Sequence, residues 1–257
     1  MSALRRFIAR RGRPEHIYSD NGTNFIGAKN ELNALYKMLH SKKEEQNIAS
    51  TLSHEGIRWH LIPPRAPNFG GLWEAAVKVA KTHMLRQIGN TSLLHEDLTT
   101  LLAQIEACMN SRQLLPMTED SNDLEVLTPG HFLIGSSMHT LPESDLRNMK
   151  INRLNRFHFI QQRLQLFWER WKTEYLREQN RQASRNARPI QLKVGQFVIL
   201  QDQLLPPCQW PIARIVKLHP GSDGIQRVMT VRTAQGIFKR PISKLCPLPS
   251  AEDDEGR

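Results

Sequence analysis

Asp20 and Glu74 are the residues in this chain best suited to chemistry. Asp20 ends the short run His16-Ile17-Tyr18-Ser19 and precedes Asn21-Gly22-Thr23-Asn24-Phe25. Glu74 follows Pro63-Pro64-Arg65-Ala66-Pro67-Asn68-Phe69-Gly70-Gly71-Leu72-Trp73, where a Pro- and Gly-rich stretch gives way to a helical pattern. A strand-end aspartate and a helix-start glutamate offer oxygen ligands to a hard divalent cation from rigid elements. Two such ions a few Å apart can stabilise the attacking and leaving oxygens of a phosphodiester. A first-turn glutamate is also favoured by the helix dipole. Taken singly, Asp20 reads equally well as a turn residue and Glu74 as a dipole partner. Lys78 and Lys81 follow Glu74 by four and seven positions, so the three share a helix face. That face can meet an anion or form an internal Glu–Lys pair.

The elements that must position these groups follow from periodicity. Leu4, Phe7 and Ile8 predict a helix over 2–11, closed by Gly12 and Pro14. Residues 16–19 predict a buried strand, and Asn21-Gly22 a turn. Leu32, Leu35, Tyr36 and Leu39 mark one face of a second helix, leading into a charged segment over 40–56. The alternation in 57–62 predicts another strand, 63–71 a loop, and 72–88 a helix with Trp73, Val77, Ala80 and Met84 on one face. Leu98, Leu101, Leu102, Ile105, Cys108 and Met109 give the most strongly amphipathic helix. Residues 116–123 read as loop. Residues 152–182 predict a long helix in which Phe157, Ile160, Leu164, Phe167, Trp168, Trp171 and Tyr175 alternate with Arg153, Arg156, Arg163, Arg170, Lys172 and Arg177. Its aromatic stripe reads first as packing. After a basic linker over 183–189 the period becomes two, and short strands imply a small barrel.

Thirty-five Lys and Arg against 25 Asp and Glu leave a formal charge of +10, which suits a polyanionic partner. Hydrophobic residues at 39% and charged residues at 23% describe a mostly globular chain. Cys108, Cys208 and Cys246 are isolated, so neither a disulfide framework nor a thiolate zinc site is indicated. No apolar run reaches the roughly 18 residues of a membrane span, and the first residues do not form a signal peptide. An intracellular setting with no membrane partner is expected.

The two acid-bearing segments closely resemble those around the second and third acids of the Asp, Asp, Glu signature in retroviral and retrotransposon integrase cores. Leu127-Thr128-Pro129-Gly130-His131-Phe132-Leu133-Ile134-Gly135 looks most like integrases of the BEL/Pao group of LTR retrotransposons. Val194 to Leu200, Gln209-Trp210-Pro211-Ile212-Ala213-Arg214-Ile215-Val216 and Arg240 to Leu245 resemble the SH3-like C-terminal domain of that family. The resemblance implies an α/β chain. It would comprise a partial ribonuclease-H-like core over 1–145, a linker helix and basic linker over 146–188, a small β-barrel over 189–249, and an acidic disordered tail over 250–257. It implies DNA integration in the nucleus by transesterification, with Asp20 and Glu74 as catalytic ligands of Mg²⁺ or Mn²⁺. Lys78 and Lys81 would hold the transposon end. Arg214, Lys217, Arg227, Arg232, Lys239 and Arg240 would meet phosphates of transposon or target DNA, or form the solvent side of a half-buried sheet. The barrel would also join protomers into a homo-oligomer.

The sequence departs from this pattern in three places. Fifty-three residues separate the two acids, a long spacing that the charged segment 40–56 accounts for. Gln113 stands where the resemblance suggests proline. The first aspartate of the signature should lie several dozen residues before Asp20, yet only nineteen residues precede it and no acid among them sits on a strand. The expectation is therefore an N-terminally truncated integrase that by itself binds metal weakly or not at all. The alternative is a domesticated or decayed non-catalytic DNA-binding or interaction protein.

Overall fold

The computed structural model describes residues 1–41, 56–63, 71–89, 91–118, 120, 123–183, 192–201 and 205–249. The expectations for the loop at 64–70, most of the charged segment, the basic linker and the acidic tail lie outside the described residues, as do those for the side chains of Leu39 and Trp73. The architecture is mixed α/β, and the chain divides into two compact units, Met1–Ala80 and Lys81–Arg257.

The first unit opens with α1 (Ser2–Arg11), whose last-turn Arg10 and Arg11 complement the helix dipole. Gly12, at φ 80°, ends it by donating its N–H to the Ile8 carbonyl at 2.9 Å. This left-handed backbone favours glycine. β1 (His16–Ser19) runs parallel to β2 (Arg58–Leu61), in register His16 with Arg58 through Ser19 with Leu61. Parallel neighbours need a crossover, and α2 (Thr23–Ser41) lies between them in the chain. Ala28 and Leu32 are buried on α2, while Leu35, on the expected apolar face, is 39% exposed. Tyr36 Oη accepts the Ile57 N–H at 2.9 Å and ties the approach to β2 onto α2. α3 (Gly71–Ile88) begins in this unit and runs across the division at residue 80.

The second unit is densely packed. α4 (His95–Asn110) buries Leu101, Ile105 and Cys108 of the stripe its periodicity predicts, while Leu98 and Met109 are half-buried and Leu102 is 44% exposed. β3 (Leu115–Pro116) and β4 (Val126–Leu127) form a two-residue antiparallel pair in a region the sequence reads partly as loop. α5 (Pro129–Ile134) has Pro129 at its start, where a missing N–H costs nothing, and ends at Gly135 with φ 77°. α6 (Arg156–Ala183) starts where Asn155 Oδ1 accepts the His158 N–H at 2.8 Å. On α6, Ile160, Leu164, Phe167, Trp168 and Trp171 are buried.

β5 (Phe197–Leu200), β6 (Ile212–Pro220), β7 (Gln226–Thr233), β8 (Gly236–Pro241) and β9 (Leu245–Pro247) form one antiparallel sheet in the order β8-β7-β6-β5-β9. Val198, Leu200, Ala213, Ile215, Met229, Val231 and Leu245 gather with Leu192 in a core on one face. β5 is buried on both faces, because α6 packs beside β9, where Cys246 Sγ donates to the Leu176 carbonyl at 3.7 Å. Where the sequence implies a small barrel, the described residues show a five-stranded antiparallel sheet that by hydrogen bonding ends at β8 on one side and β9 on the other. Both edge strands carry a proline, Pro241 and Pro247, which removes a ladder donor there.

Candidate nucleic-acid interface

Asp20 stands at the end of β1, on a turn held by four short bonds. Its Oδ1 accepts the Gly22 N–H at 2.9 Å, an Asx turn that points the carboxylate back along the chain. Asn21 Nδ2 donates to the Ile62 carbonyl at 2.8 Å and joins this turn to the end of β2. Buried Ser19 donates its hydroxyl to the Asp20 carbonyl at 3.0 Å and accepts the Trp59 indole N–H at 2.9 Å. The Gly22 carbonyl then accepts the N–H groups of Phe25 and Ile26, starting α2. A Cβ on residue 22 would fall 2.9 Å from Asp20 Oδ1 and would push the carboxylate aside.

Glu74 lies in the first turn of α3 and is exposed, as the sequence predicts for a dipole-stabilised carboxylate. Lys78 and Lys81 are exposed on the same helix, one and two turns further on. The donor set decides whether these residues fit the Mg²⁺ or Mn²⁺ pair that the resemblance implies. Two such ions would need several carboxylate oxygens between them. Among the described residues, no three His, Cys, Asp or Glu side chains come close enough to hold a metal ion. The described acids therefore do not by themselves make a two-metal site.

The basic residues of the sheet divide into two sorts. Lys217 is level with Thr230 on β7, and Thr230 with Lys239 on β8, so the two lysines share one row across three strands. Both are exposed. Arg214 and Arg232 are paired in register on the same face. Arg214, however, is engaged by the fold: Nε donates to the Gly195 carbonyl at 2.7 Å, Nη1 donates to the Asp120 carbonyl, and the guanidinium lies 5.0 Å from the Phe197 ring centre. Arg240 is half-buried, lies over Phe238 and donates to the Lys239 carbonyl at 3.1 Å. Arg227 pairs with Asp223 at 2.6 Å.

The basic residues on α6 are also drawn into the fold. Arg156 meets Asp97 at 2.7 Å, and Arg163 donates to the Gln87 carbonyl at 2.9 Å. Lys172 is buried, and desolvation holds its pKa below the usual lysine value. His83 is buried, with Nε2 3.2 Å from Glu174 Oε2; burial lowers its pKa against the pull of Glu174.

Sequence reasoning missed two clusters. On the first sheet His16, Tyr18 and His60 stack, with ring centres 4.7 Å apart for Tyr18 and His60, and His16 Nδ1 lies 2.9 Å from His60 Nε2. Their period-two spacing on paired strands was visible, but strand register was not. In the second unit the Trp210 ring lies edge-on to Trp168, Trp171 and Tyr175, at 5.0, 5.9 and 5.6 Å. The α6 stripe thus packs within the fold at Trp168, Trp171 and Tyr175, whereas Phe157 at its start is 66% exposed.

A family model described only as "Family of unknown function (DUF5641)" matches residues 155–248, from the start of α6 to just past β9. No curated protein matches the chain. Among the described residues no helix is long and apolar enough to cross a membrane.

Proposed function

We propose that the chain is an integrase-type polynucleotidyl transferase segment, of the BEL/Pao kind, whose own task is to hold DNA. In this reading the first unit is part of a ribonuclease-H-like core, and the five-stranded sheet is an SH3-like module that meets transposon-end and target DNA. One observation carries the proposal. The two acids of the motif stand at the end of a strand in a parallel β–α–β unit and in the first turn of a helix, where each can face a phosphodiester from a rigid element. Exposed Lys78 and Lys81 on the helix of Glu74, and the Lys217–Lys239 row, supply positive charge for phosphates. Strand transfer in the nucleus by a homo-oligomer would, in this proposal, need a carboxylate beyond Asp20 and Glu74 and bound Mg²⁺. A second reading is a non-catalytic DNA-binding protein descended from such an element. It is favoured by the turn role of Asp20, whose Oδ1 already serves the Gly22 N–H.

The test has two arms. Fluorescence anisotropy on random duplex DNA is expected to show binding that weakens steeply between about 50 and 200 mM salt. A Lys217→Ala/Lys239→Ala variant should bind all sequences more weakly and lower the log–log salt slope by about two. Absence of binding at low salt would sink both readings. The second arm is strand transfer on a labelled transposon-end duplex with Mg²⁺ or Mn²⁺, where the chain alone is expected to be inactive. Metal-dependent joining that disappears in Asp20→Asn and Glu74→Gln would overturn that expectation and eliminate the non-catalytic reading.

A further inference from the structure

Cys108 and Cys208 are 100 residues apart in sequence, yet their sulfurs lie 3.8 Å apart within hydrogen-bonding contact. Both are free thiols and both are buried. Cys108 sits near the end of α4 and is fully enclosed. Cys208 occupies a tight turn closed by the Gln209 N–H on the Pro206 carbonyl at 3.1 Å. At φ 64° it is, among the described residues, the single non-glycine with positive φ. With Pro207 before it, this is the third position of a type II turn, where glycine or asparagine is the ordinary occupant. A cysteine held there against its backbone preference is a feature that packing alone does not require.

The turn is also fixed from several sides. Thr140 Oγ1 donates to the Pro207 carbonyl at 2.8 Å, the Trp168 indole to the Leu205 carbonyl at 3.1 Å, and the Trp210 indole to Ser111 Oγ at 3.0 Å. Ser111 follows the helix that bears Cys108, and donates its hydroxyl to the Cys108 carbonyl at 2.8 Å. The two thiols are thus presented to each other by bonded neighbours on both elements. Cys208, unlike Cys108, lines a cavity of about 700 Å³, together with Ser111, Gln113, Met138 and Trp210. That volume lies within the roughly 300–1,000 Å³ of small-molecule sites.

We propose that this cavity admits a low-molecular-weight disulfide of the glutathione type, and that Cys208 and Cys108 exchange with it to form a reversible intramolecular disulfide. The Cys208 thiolate attacks one sulfur of the incoming disulfide, forming a mixed disulfide and releasing one small thiolate. Cys108 then gives up its proton and attacks Cys208 Sγ, forming the Cys108–Cys208 bond and expelling the second small thiolate. The two protons from the cysteines end on the two small thiols. Two protein thiols are oxidised and one small disulfide is reduced. The order of attack follows from access, since only Cys208 faces the cavity. It also agrees with the charge preferences: the neighbouring Cys108 side chain lowers the Cys208 pKa against the raising effect of burial, whereas Cys108 is held well above the ordinary thiol range. The product ties α4 to the β5–β6 turn.

The experiment uses the full chain, incubated with oxidised glutathione, trapped with iodoacetamide and mapped without reduction. The expected result is a Cys108 peptide linked to a Cys208 peptide, with Cys246 still alkylatable after denaturation, a higher melting temperature, and full reversal by dithiothreitol. Cys108→Ser should stop at a glutathione adduct on Cys208. Cys208→Gly, which suits the positive φ and so preserves the turn, should show neither adduct nor crosslink while retaining the native circular dichroism. The proposal is overturned by any of four results: every cysteine remains alkylatable in the native wild type, a mixed disulfide on Cys208 persists there unresolved, no adduct forms in Cys108→Ser, or the crosslink appears only in urea.

Discussion

The two units of this chain are built on opposite economies of polar and apolar contact. Among the described residues of Met1–Ala80, Ala28, Leu32 and Ile57 are the buried hydrophobic side chains, and α1 buries none. Phe7, Tyr18, Phe25, Met38 and Val77 are exposed there. The turn at Asp20 is held instead by side-chain hydrogen bonds from Ser19, Asn21 and Trp59. Lys81–Arg257 has a sheet core of aliphatic residues and, on α6, a stack of aromatic rings around Trp210. Since burial of apolar area is the main stabilising term, the second unit should carry most of the chain's folding free energy. The motif acids sit in the thinner unit. The motif acids and most of the buried apolar side chains are therefore separated along the chain, and each can be perturbed with limited effect on the other.

The strongest test of that separation is Phe167→Ala. Phe167 is fully buried, stacks with Trp171 and meets His83 edge-on. Removing the ring leaves a cavity, with an expected loss of about 3–5 kcal/mol. Urea unfolding followed by circular dichroism would measure it. Amide exchange at Asn21 and Gly22, in the other unit, should remain unchanged. If those amides lose protection to the same extent, the two units unfold as one and the comparison fails.

Alkaline pH gives a second and smaller probe of the aromatic side. Burial pushes the Tyr175 phenol up to about 12 from its ordinary 10.0, and the Cys246 thiol up to about 12 from 9.0. Both groups are favoured in their neutral forms when folded. Above pH 9 the unfolded chain loses these protons more readily than the folded one. Stability from these groups is therefore complete below about pH 9 and falls as pH rises towards 12. The expected observation is a melting temperature that declines over this window. Cys246→Ala should make the decline between about pH 9 and 10 shallower without abolishing it, because buried Cys108 is also held above its ordinary range. A melting temperature flat to pH 12 would mean that neither group is as buried as the structure places it.

The sequence revealed these two regions unequally. The strand end at Asp20, the first-turn position of Glu74 and the stripe of α4 were legible, because turn chemistry, the helix dipole and 3.6-residue periodicity act over a few neighbours. The outward row of Lys217 and Lys239 was legible as basic residues on strands, but their alignment depends on a register that no single strand encodes. The fate of Arg214, drawn to Gly195 and Asp120, and the burial of Lys172 were not visible, since both follow from partners distant in sequence. The same holds for the approach of Cys108 to Cys208. β3 and β4 are two residues each, too short for any periodicity. The strand count was legible as a small antiparallel β module, but the order β8-β7-β6-β5-β9 depends on pairings that no single strand encodes.

The smallest expected effect lies at the candidate site itself. In Trp59→Phe the ring remains against Phe25 while the indole N–H on Ser19 Oγ is lost. Ser19 is buried, and its hydroxyl still donates to the Asp20 carbonyl, so one acceptor site is left unsatisfied rather than the whole group. A net cost of about 1 kcal/mol is expected. It should be local, because β1 and β2 keep their register through backbone bonds. Faster amide exchange at Gly22, whose N–H bonds Asp20 Oδ1, is the readout, with the urea midpoint of the second unit unmoved. A drop as large as that of Phe167→Ala would show that this small hydrogen-bonded turn anchors the fold as heavily as the aromatic core. The division of labour between the units would then have to be withdrawn.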